Sequence, residues 1–146
     1  MIRRGVAALV YRKTDSGVRY LLLRRKKIWT GWEWLKGGCK FGEDEKTCLK
    51  REIMEEISVK SFIPKRTKFT HSFFYFKPLV KDKRKWTGAK HRLFLVEVHS
   101  SKVKVDNEEH SGYKWVDKKD ALKMLTWDDQ RKLFERIIRL NKLNLK

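Results

Sequence analysis

The sequence predicts a single domain of the α/β class. Two apolar, β-prone runs at residues 6–11 and 20–23 indicate strands. Leu49, Ile53 and Ile57 recur every four residues and indicate a helix with one apolar face. With 146 residues and 40% hydrophobic content, the chain can build one core, whereas two independent domains would each be marginal. We therefore expect one compact domain that spans all 146 residues.

The charge of the chain is strongly positive. Its 37 lysine and arginine residues against 18 aspartate and glutamate residues give a formal net charge of +19. Such a surface repels itself, and a polyanion would relieve the repulsion, so the composition favours nucleotides, RNA or another phosphorylated partner. A charge that only keeps the protein soluble is the alternative.

The cysteines and the N-terminal residues give information about the cellular compartment of the protein. Cys39 and Cys48 lie nine residues apart without a CxxC motif or a second cluster, so neither a zinc site nor a disulfide framework is predicted. This fits a reducing cytoplasm. The N-terminal apolar run, residues 6–10, is too short for a signal peptide or a membrane span. We expect a cytoplasmic protein without a membrane partner, and the sequence leaves the oligomeric state open.

The first two strands are predicted to form an antiparallel hairpin, because residues 13–17 between them carry polar turn residues and a glycine. Four basic residues follow at positions 24–27, and then three tryptophans, Trp29, Trp32 and Trp34. Core packing is the favoured interpretation of these rings, and stacking on a base or sugar is the alternative. Both interpretations can hold for different rings.

The predicted helix carries an acidic face beside its apolar face. Asp44 is a good N-cap residue, so we expect the helix to begin directly after it. Glu52, Glu55 and Glu56 then stack on one side, since residues three and four apart are neighbours on a helix. Three crowded carboxylates are destabilising unless a positive charge lies among them, and a divalent cation is the obvious candidate. Taken alone, this segment is also compatible with an ordinary charged surface helix.

Two further residues are predicted to support the acidic face. Arg51 lies four residues before Glu55, a spacing that allows an ion pair on the helix surface. Glu43, just ahead of the helix, is within reach of Arg51 from the preceding loop.

Six glycine, glutamate and arginine residues in and before this helix form a pattern with defined intervals. The spaced positions are Gly37, Glu43, Arg51, Glu52, Glu55 and Glu56. This pattern resembles the Nudix box of the Nudix hydrolase superfamily. Ser58 stands where the family pattern has a glycine, which puts in question the turn that ends the helix and leaves the upstream carboxylates unaffected.

The resemblance extends to both sides of the box. Residues 31–38, GWEWLKGG, look like the segment ahead of the box in Nudix enzymes that act on dinucleoside polyphosphates and RNA 5′ ends, with Leu35 in place of a proline. Residues 85–95 and 109–116 resemble two later elements of the same enzymes. These outer segments favour the group of diadenosine tetraphosphate hydrolases and RNA pyrophosphohydrolases within the family.

The resemblance implies an α/β/α sandwich with a mixed sheet, and the remaining patterns allow it. Residues 67–76 and 93–98 are predicted strands, and residues 128–143 contain a terminal amphipathic helix. Residues 77–92 hold seven lysines or arginines around Trp86. We interpret that segment either as a solvated loop or as an arm that grips phosphates over a cleft.

The family resemblance also implies the chemistry. A phosphoanhydride resists attack because its oxygens repel a nucleophile, and Mg²⁺ or Mn²⁺ counters this by bridging phosphates and acidifying a bound water. The implied cation ligands are Glu52, Glu55, Glu56 and a backbone carbonyl at or next to Gly37. The candidate general bases are Glu52 and Glu109, with Arg51 and Glu43 as supporting residues and His110 as a lesser candidate. The predicted substrate-binding residues are Lys36, Tyr75, Lys85, Trp86 and Lys90.

Three functions follow in order of preference. The first is a metal-dependent pyrophosphohydrolase of nucleoside polyphosphates, of the diadenosine tetraphosphate type. The second removes pyrophosphate from RNA 5′ ends, which the charge of +19 supports. The third, from another class, is a non-catalytic RNA-binding module, and the complete box argues against it.

Overall fold

In the computed structural model, residues 1–81 and 83–141 are described, and they form a mixed seven-stranded sheet with three helices. The elements are β1 (Ile2–Thr14), β2 (Gly17–Arg25), β3 (Gly31–Glu33), β4 (Leu35–Gly38), α1 (Glu45–Ile57), β5 (Ile63–Lys81), β6 (Arg84–Glu97), β7 (His110–Val116), α2 (Lys118–Met124) and α3 (Asp128–Asn141). None of the helices in this part of the chain has the length and apolar character that a bilayer crossing requires.

Strand β1 is the centre of the sheet. It forms the predicted antiparallel hairpin with β2, in a register that runs from Tyr11 opposite Tyr20 to Thr14 opposite Gly17. Along its length β1 also pairs in parallel with β6, and its residues 5–8 pair antiparallel with β4. The main path of the sheet is β3-β2-β1-β6-β5, with β7 attached to β2.

The core has two layers because successive side chains of a strand point to opposite faces of the sheet. Val6, Ala8 and Val10 of β1 belong to the core cluster that includes the apolar residues of α1. Ala7 and Leu9 belong to the cluster that includes residues of α2 and α3. The predicted α/β/α sandwich is therefore confirmed.

Helix α1 begins and ends much as its sequence predicts. The Asp44 carboxylate accepts a hydrogen bond of 2.8 Å from the backbone N–H of Thr47, so Asp44 is the N-cap. Ser58 ends the helix at φ 57° and ψ 40°, and its N–H donates to the carbonyl of Met54 at 3.1 Å. A serine therefore adopts the left-handed conformation that a glycine would take at lower cost.

The C-terminal part of the chain contains the predicted amphipathic helix and one helix that was not predicted. In α3, Phe134, Ile137 and Ile138 are buried. Residues 142 and 143 of that prediction lie outside the described residues. The short helix α2 begins after Asp117, which accepts a hydrogen bond from the N–H of Asp120.

Of the two interpretations of residues 77–92, the solvated loop is wrong, and the phosphate-binding arm stays a prediction. Strand β5 continues to Lys81 and β6 begins at Arg84, so the segment belongs to a long β-hairpin. Leu79 lies opposite Trp86, and Phe74 lies opposite Gly88. Cross-strand pairs such as Leu79 with Trp86 hold the two strands together, whereas the many charged residues of the segment had suggested a loop.

The expectation of two unpaired cysteines is also wrong, because Cys39 and Cys48 form a disulfide. The loop after β4 folds back on the first turn of α1 and brings their Cα atoms to 5.3 Å. Spacing along the sequence did not reveal this contact. The cysteines therefore no longer argue for a reducing compartment.

Candidate active site

The polar side of α1 meets β4 at a very close contact between Glu52 and Gly37. A Cβ atom on Gly37 would lie 2.0 Å from the Cδ atom of Glu52, so only a glycine leaves room for this carboxylate. Glu52 is 6% exposed although it carries an ionisable group. Two segments that are separate in the sequence thus meet at one carboxylate.

Arg51 ties the loop, the strand and the helix together. Its Nε and Nη2 atoms donate to the two Glu43 carboxylate oxygens, each at 2.9 Å, and Nη2 also donates to the Gly38 carbonyl at 3.0 Å. Its Nη1 atom donates to Glu52 at 2.9 Å and to Glu55 at 3.2 Å. The predicted contacts of Arg51 with Glu43 and Glu55 are present.

The carboxyl groups of the site differ in their tendency to ionise. Hydrogen bonds from Arg51 lower the pKa of Glu43 to about 2. Burial raises the pKa of Glu52 to about 7, although the charge of Arg51 opposes the shift. Burial likewise raises the pKa of Glu56. Two of the three predicted ligands are thus carboxylates whose charge is costly in the protein alone, and a bound cation would stabilise that charge.

His110 lies at the start of β7 and faces this acidic group from the opposite side. It is 2% exposed, and its Nε2 atom is 2.8 Å from Oε2 of the fully buried Glu33. Its Nδ1 atom is 3.3 Å from Oε2 of Glu56. Burial would lower the pKa of His110, but the contacts with Glu33 and Glu56 raise it to about 9.

Glu33 was missed at the sequence level. Its carboxylate is compensated by Arg25 Nη1 at 3.4 Å and by Lys36 Nζ at 3.6 Å. Although burial opposes ionisation, the charge of Lys36 and the contact with His110 lower the pKa of Glu33. The available signal was a glutamate directly between Trp32 and Trp34, since a glutamate among apolar residues is rarely buried unless it is paired.

One group of side chains near the box has the geometry of a cation site. Glu56, Glu109 and His110 each offer a ligand atom, and these atoms all lie within 4.8 Å of one another. In the described part of the chain, the predicted ligands Glu52, Glu55 and Glu56 are not gathered to that separation. The buried Glu56 Oε2 atom has the His110 imidazole as its neighbouring positive group at 3.3 Å, so the carboxylate oxygens are the donors of this group that fit a divalent cation.

The predicted substrate-binding residues are divided between the two faces of the sheet. Lys36 and Tyr75 lie on the face of α2 and α3, where the Lys36 Nζ atom is 4.7 Å from the ring centre of Phe73. Lys90 lies on the face of α1, where it lines a cavity of about 370 Å³ with Arg4 and Arg92. The remaining two, Lys85 and Trp86, lie in the hairpin of β5 and β6.

The three tryptophans ahead of the box have different environments. Trp34 is 1% exposed and packs edge-on against His71, so the prediction of core packing is confirmed for this ring. Trp29 and Trp32 are only partly buried, and Trp29 contacts Trp127 edge-on at 5.1 Å. Stacking of these two rings on a base stays a prediction.

The fold and the site together define an α/β/α domain with a carboxylate-rich helix against a glycine-containing strand. A profile of the NUDIX domain matches residues 1–137, and the chain belongs to the NUDIX family. The predicted class of enzyme, a hydrolase acting on acid anhydrides in phosphorus-containing substrates, is confirmed by this membership.

Solved structures with the same fold are similar over nearly the whole chain. The binary complex of an Ap4A hydrolase from C. elegans has a TM-score of 0.76 and 20% identity, and the match covers 97% of this chain and 98% of that one. The MutT protein of Methanosarcina mazei Go1 has a TM-score of 0.72 and 24% identity, with 97% of each chain covered. The dihydroneopterin triphosphate pyrophosphohydrolase of E. coli has a TM-score of 0.70 and 21% identity, with 93% and 96% covered.

Among curated proteins, none matches the sequence significantly. The similar structures carry names that refer to different substrates at comparable TM-scores. These proteins share one fold, and similarity of fold does not identify the substrate of this chain.

Proposed function

We propose that the protein is a Mg²⁺- or Mn²⁺-dependent pyrophosphohydrolase that cleaves a phosphoanhydride bond in nucleoside polyphosphates, with diadenosine tetraphosphate-type dinucleotides as the preferred substrates. The observation that carries the proposal is the buried Glu52, which is held against Gly37 and bonded to Arg51 beside Glu55 and Glu56. This arrangement brings several carboxylates close together in a protein whose net charge is strongly positive.

In this proposal, Glu52, Glu55, Glu56 and the Gly37 carbonyl hold the cation. When it is bound, the cation supplies charge neutralisation on the phosphates and acidifies an attacking water. Arg51 keeps the Glu52 and Glu55 carboxylates in place, and Glu43 fixes Arg51 from the other side.

Two residues are candidates for the general base. Glu52 is the buried carboxylate that lies against Gly37 and accepts a hydrogen bond from Arg51. Glu109 is more exposed, and its carboxylate lies 3.7 Å from Nη1 of Arg25. Separate Glu52→Gln and Glu109→Gln variants distinguish them. Replacement of the residue that acts as the base should remove the acidic limb from the pH profile of kcat. Replacement of the other residue should lower kcat but keep this limb.

The proposed substrate contacts are divided between the two faces of the sheet and the hairpin of β5 and β6. Lys36 neutralises phosphate charge beside the box, while Tyr75 and Trp86 offer aromatic faces to a nucleobase. Lys85 and Lys90 bind the outer phosphates electrostatically. The extended β5–β6 hairpin supports a phosphate-binding arm as readily as the predicted loop would have done.

A second candidate, removal of pyrophosphate from RNA 5′ ends, is favoured by the net charge of +19, because a long polyanion gains more than a small nucleotide from such a surface. Both activities fit a cytoplasmic protein. The Cys39–Cys48 disulfide, however, is more typical of oxidising compartments, so the location stays a prediction.

A substrate panel tests the proposal. The protein is incubated with Mg²⁺ and, separately, with diadenosine tetraphosphate, a 5′-triphosphorylated RNA and single nucleoside triphosphates, and the products are separated by chromatography. The proposal predicts turnover of the dinucleotide at the highest kcat/KM. Faster release of pyrophosphate from the RNA would favour the second candidate. RNA binding without turnover of any polyphosphate would contradict both enzymatic functions.

A further inference from the structure

The Cys39–Cys48 disulfide lies about one helical turn from the contact between Glu52 and Gly37. Cys39 follows β4 directly, and Cys48 is on the first turn of α1, four residues before Glu52. Residues four apart are neighbours on a helix, so Cys48 and Glu52 lie on the same side of α1. The cross-link therefore joins the two segments whose close approach holds the Glu52 carboxylate.

Arg51 contacts the cross-link as well as the carboxylates. Its Nη2 atom lies 4.0 Å from Sγ of Cys48, and the same atom donates to Glu43 at 2.9 Å and to the Gly38 carbonyl at 3.0 Å. Its Nη1 atom donates to Glu52 at 2.9 Å. The guanidinium of Arg51 is thus the bridge between the disulfide and the Glu52 carboxylate.

The loop that begins at Cys39 also carries Glu43. The Glu43 carboxylate accepts a hydrogen bond of 2.9 Å from the N–H of Lys40, the residue after Cys39. Two sulfur atoms that are no longer bonded must separate to van der Waals distance. Because Cys48 is fully buried within α1, this movement falls on Cys39, together with Lys40 and the carboxylate bonded to it. Cleavage of the disulfide therefore loosens the hold of Glu43 on Arg51.

The two sulfur atoms are unequal partners in thiol–disulfide exchange. Cys39 is 8% exposed and Cys48 is 0% exposed, and the loop residues after Cys39, at positions 40–42, are exposed. A thiolate of an external dithiol attacks the Cys39 sulfur and forms a mixed disulfide there. The electron pair of the broken bond leaves on the Cys48 sulfur, where the Arg51 guanidinium stabilises the thiolate until it takes up a proton.

Reduction is completed by the second thiol of the external dithiol. It attacks the reductant's own sulfur in the mixed disulfide and releases Cys39 as a thiol. The net reaction transfers two electrons and two protons to the cysteine pair and oxidises the dithiol to a disulfide. Where thiols are kept reduced, a protein disulfide is usually catalytic or redox-sensing.

We propose that the Cys39–Cys48 disulfide is a redox-sensitive switch of the active site, which holds Arg51 and Glu52 in position in the oxidised protein and releases them when a dithiol reduces it. The cysteines are positioning residues, because they act on Glu52 through Glu43 and Arg51. The inference rests on the proposed function, since its output is cation binding and hydrolysis. It adds control by redox state, which the carboxylates of the helix do not provide.

Comparison of the oxidised and reduced wild type tests the switch. The chain has two cysteines, so dithiothreitol acts on this pair, and mass spectrometry after alkylation counts the free thiols. The reductant is removed without oxygen before Mn²⁺ binding is followed by electron paramagnetic resonance and hydrolysis of diadenosine tetraphosphate is measured with Mg²⁺. Reduction should weaken Mn²⁺ binding by about tenfold and lower kcat by about tenfold or more, and oxidised glutathione should restore both.

Two variants separate positioning from a loss of stability. Cys39→Ser/Cys48→Ser should have the properties of the reduced wild type with and without dithiothreitol. In Glu43→Ala the link between the loop and Arg51 is already absent, so reduction should lower kcat by less than about twofold more. A cross-link that only stabilises the fold would give the same loss in both backgrounds. Circular dichroism at the assay temperature establishes that each form is folded.

The outcomes distinguish the switch from the proposed function. If the oxidised protein hydrolyses the dinucleotide and reduction changes neither kcat nor Mn²⁺ affinity, the switch is wrong and the proposed function stands. Equal losses on reduction in the wild type and Glu43→Ala also overturn the switch, because positioning through Glu43 is then absent. If neither form hydrolyses any polyphosphate but reduction weakens Mn²⁺ binding only while Glu43 is present, the proposed function fails and the switch stands.

Discussion

Gly37 is the residue on which the position of Glu52 depends. An added Cβ would meet the Glu52 carboxyl group at 2.0 Å, so Gly37→Ala should displace that carboxylate from its bond with Arg51. We expect kcat to fall by about 100-fold, since small displacements of catalytic groups have effects of that size. The measurement is kcat together with the melting temperature. Gly112→Ala is the control, because a Cβ there meets no atom within 4 Å. Equal activity of Gly37→Ala and the wild type would contradict this account of the site.

Ser58 adopts the left-handed conformation that ends α1, and this conformation costs free energy for a residue with a Cβ atom. At φ 57° its side chain is less favourable than the glycine of the family pattern. Ser58→Gly should therefore raise the free energy of unfolding by about 0.5–1 kcal/mol in urea denaturation. Ser58→Ala, which keeps a Cβ atom, should bring no gain. A decrease in stability with glycine would show that the serine hydroxyl stabilises the turn.

His91 makes stability depend on pH. Burial, followed by the charges of Lys36, His71 and Arg3, lowers the pKa of His91 well below 6.5 in the folded protein. The unfolded chain therefore binds the proton first, and the contribution to stability is present above about pH 6.5 and is lost as the pH falls below that value.

The measurement compares unfolding of the wild type and His91→Gln at pH 8 and pH 5. The wild type should lose up to about 1.4 kcal/mol more per pH unit below 6.5 than the variant does. His99→Gln, with its exposed ring, should follow the wild type. Parallel curves for the wild type and His91→Gln would show that His91 is protonated in the folded state.

At the scale of elements, the disulfide joins the loop after β4 to α1 directly beneath the site. Cross-linking Cys39 and Cys48 closes a short loop and restricts the unfolded chain. Reduction should lower the free energy of unfolding by about 2–3 kcal/mol. Denaturation of the wild type with and without dithiothreitol measures this effect, and Cys39→Ser/Cys48→Ser should be insensitive to the reductant. Two free thiols in the non-reduced protein would contradict the pairing.

The elements that the sequence predicted well are those with local signals. Helix α1 has an N-cap, an apolar stripe and an acidic stripe, and the β1–β2 hairpin has a turn between two apolar runs. The β5–β6 hairpin was not predicted over residues 77–92, because this segment is rich in charged residues. There its two strands are stabilised by pairing with each other and have no local signal. The contact of Glu33 with His110 and the disulfide depend on how distant segments pack, and neither has a signal in the local sequence.

At the scale of the whole molecule, the parallel pairing of β1 with β6 brings the elements that carry the site residues next to one another. It places the hairpin of β5 and β6 beside the N-terminal half of β1, while β4 pairs with the same half of β1 from the other side. The acidic face of α1 then lies against β4, and β7 brings Glu109 and His110 to it through β2. The catalytic proposal therefore requires the complete fold.

The net charge of +19 predicts a strong dependence on salt for long substrates. Between about 50 and 200 mM salt, the affinity for a 5′-triphosphorylated RNA should fall by tenfold or more, and that for a nucleoside triphosphate should fall less. Fluorescence anisotropy measures both affinities. Lys85→Gln/Lys90→Gln should reduce the slope for RNA by about 2, while Lys132→Gln on α3 should change it little. An RNA slope that is the same in Lys85→Gln/Lys90→Gln and in the wild type would show that these two lysines do not contact the RNA.

The proposed cation site on α1 is tested by hydrolysis of diadenosine tetraphosphate in the presence of Mg²⁺, with the wild type compared with Glu56→Gln and Glu135→Gln. Glu56 lies on the acidic face of α1, whereas Glu135 lies on α3 and pairs with Lys118 at 2.9 Å. We expect Glu56→Gln to lower kcat/KM by about 100-fold or more, and Glu135→Gln to change it little. A Glu56→Gln rate equal to that of the wild type would contradict the proposed cation site.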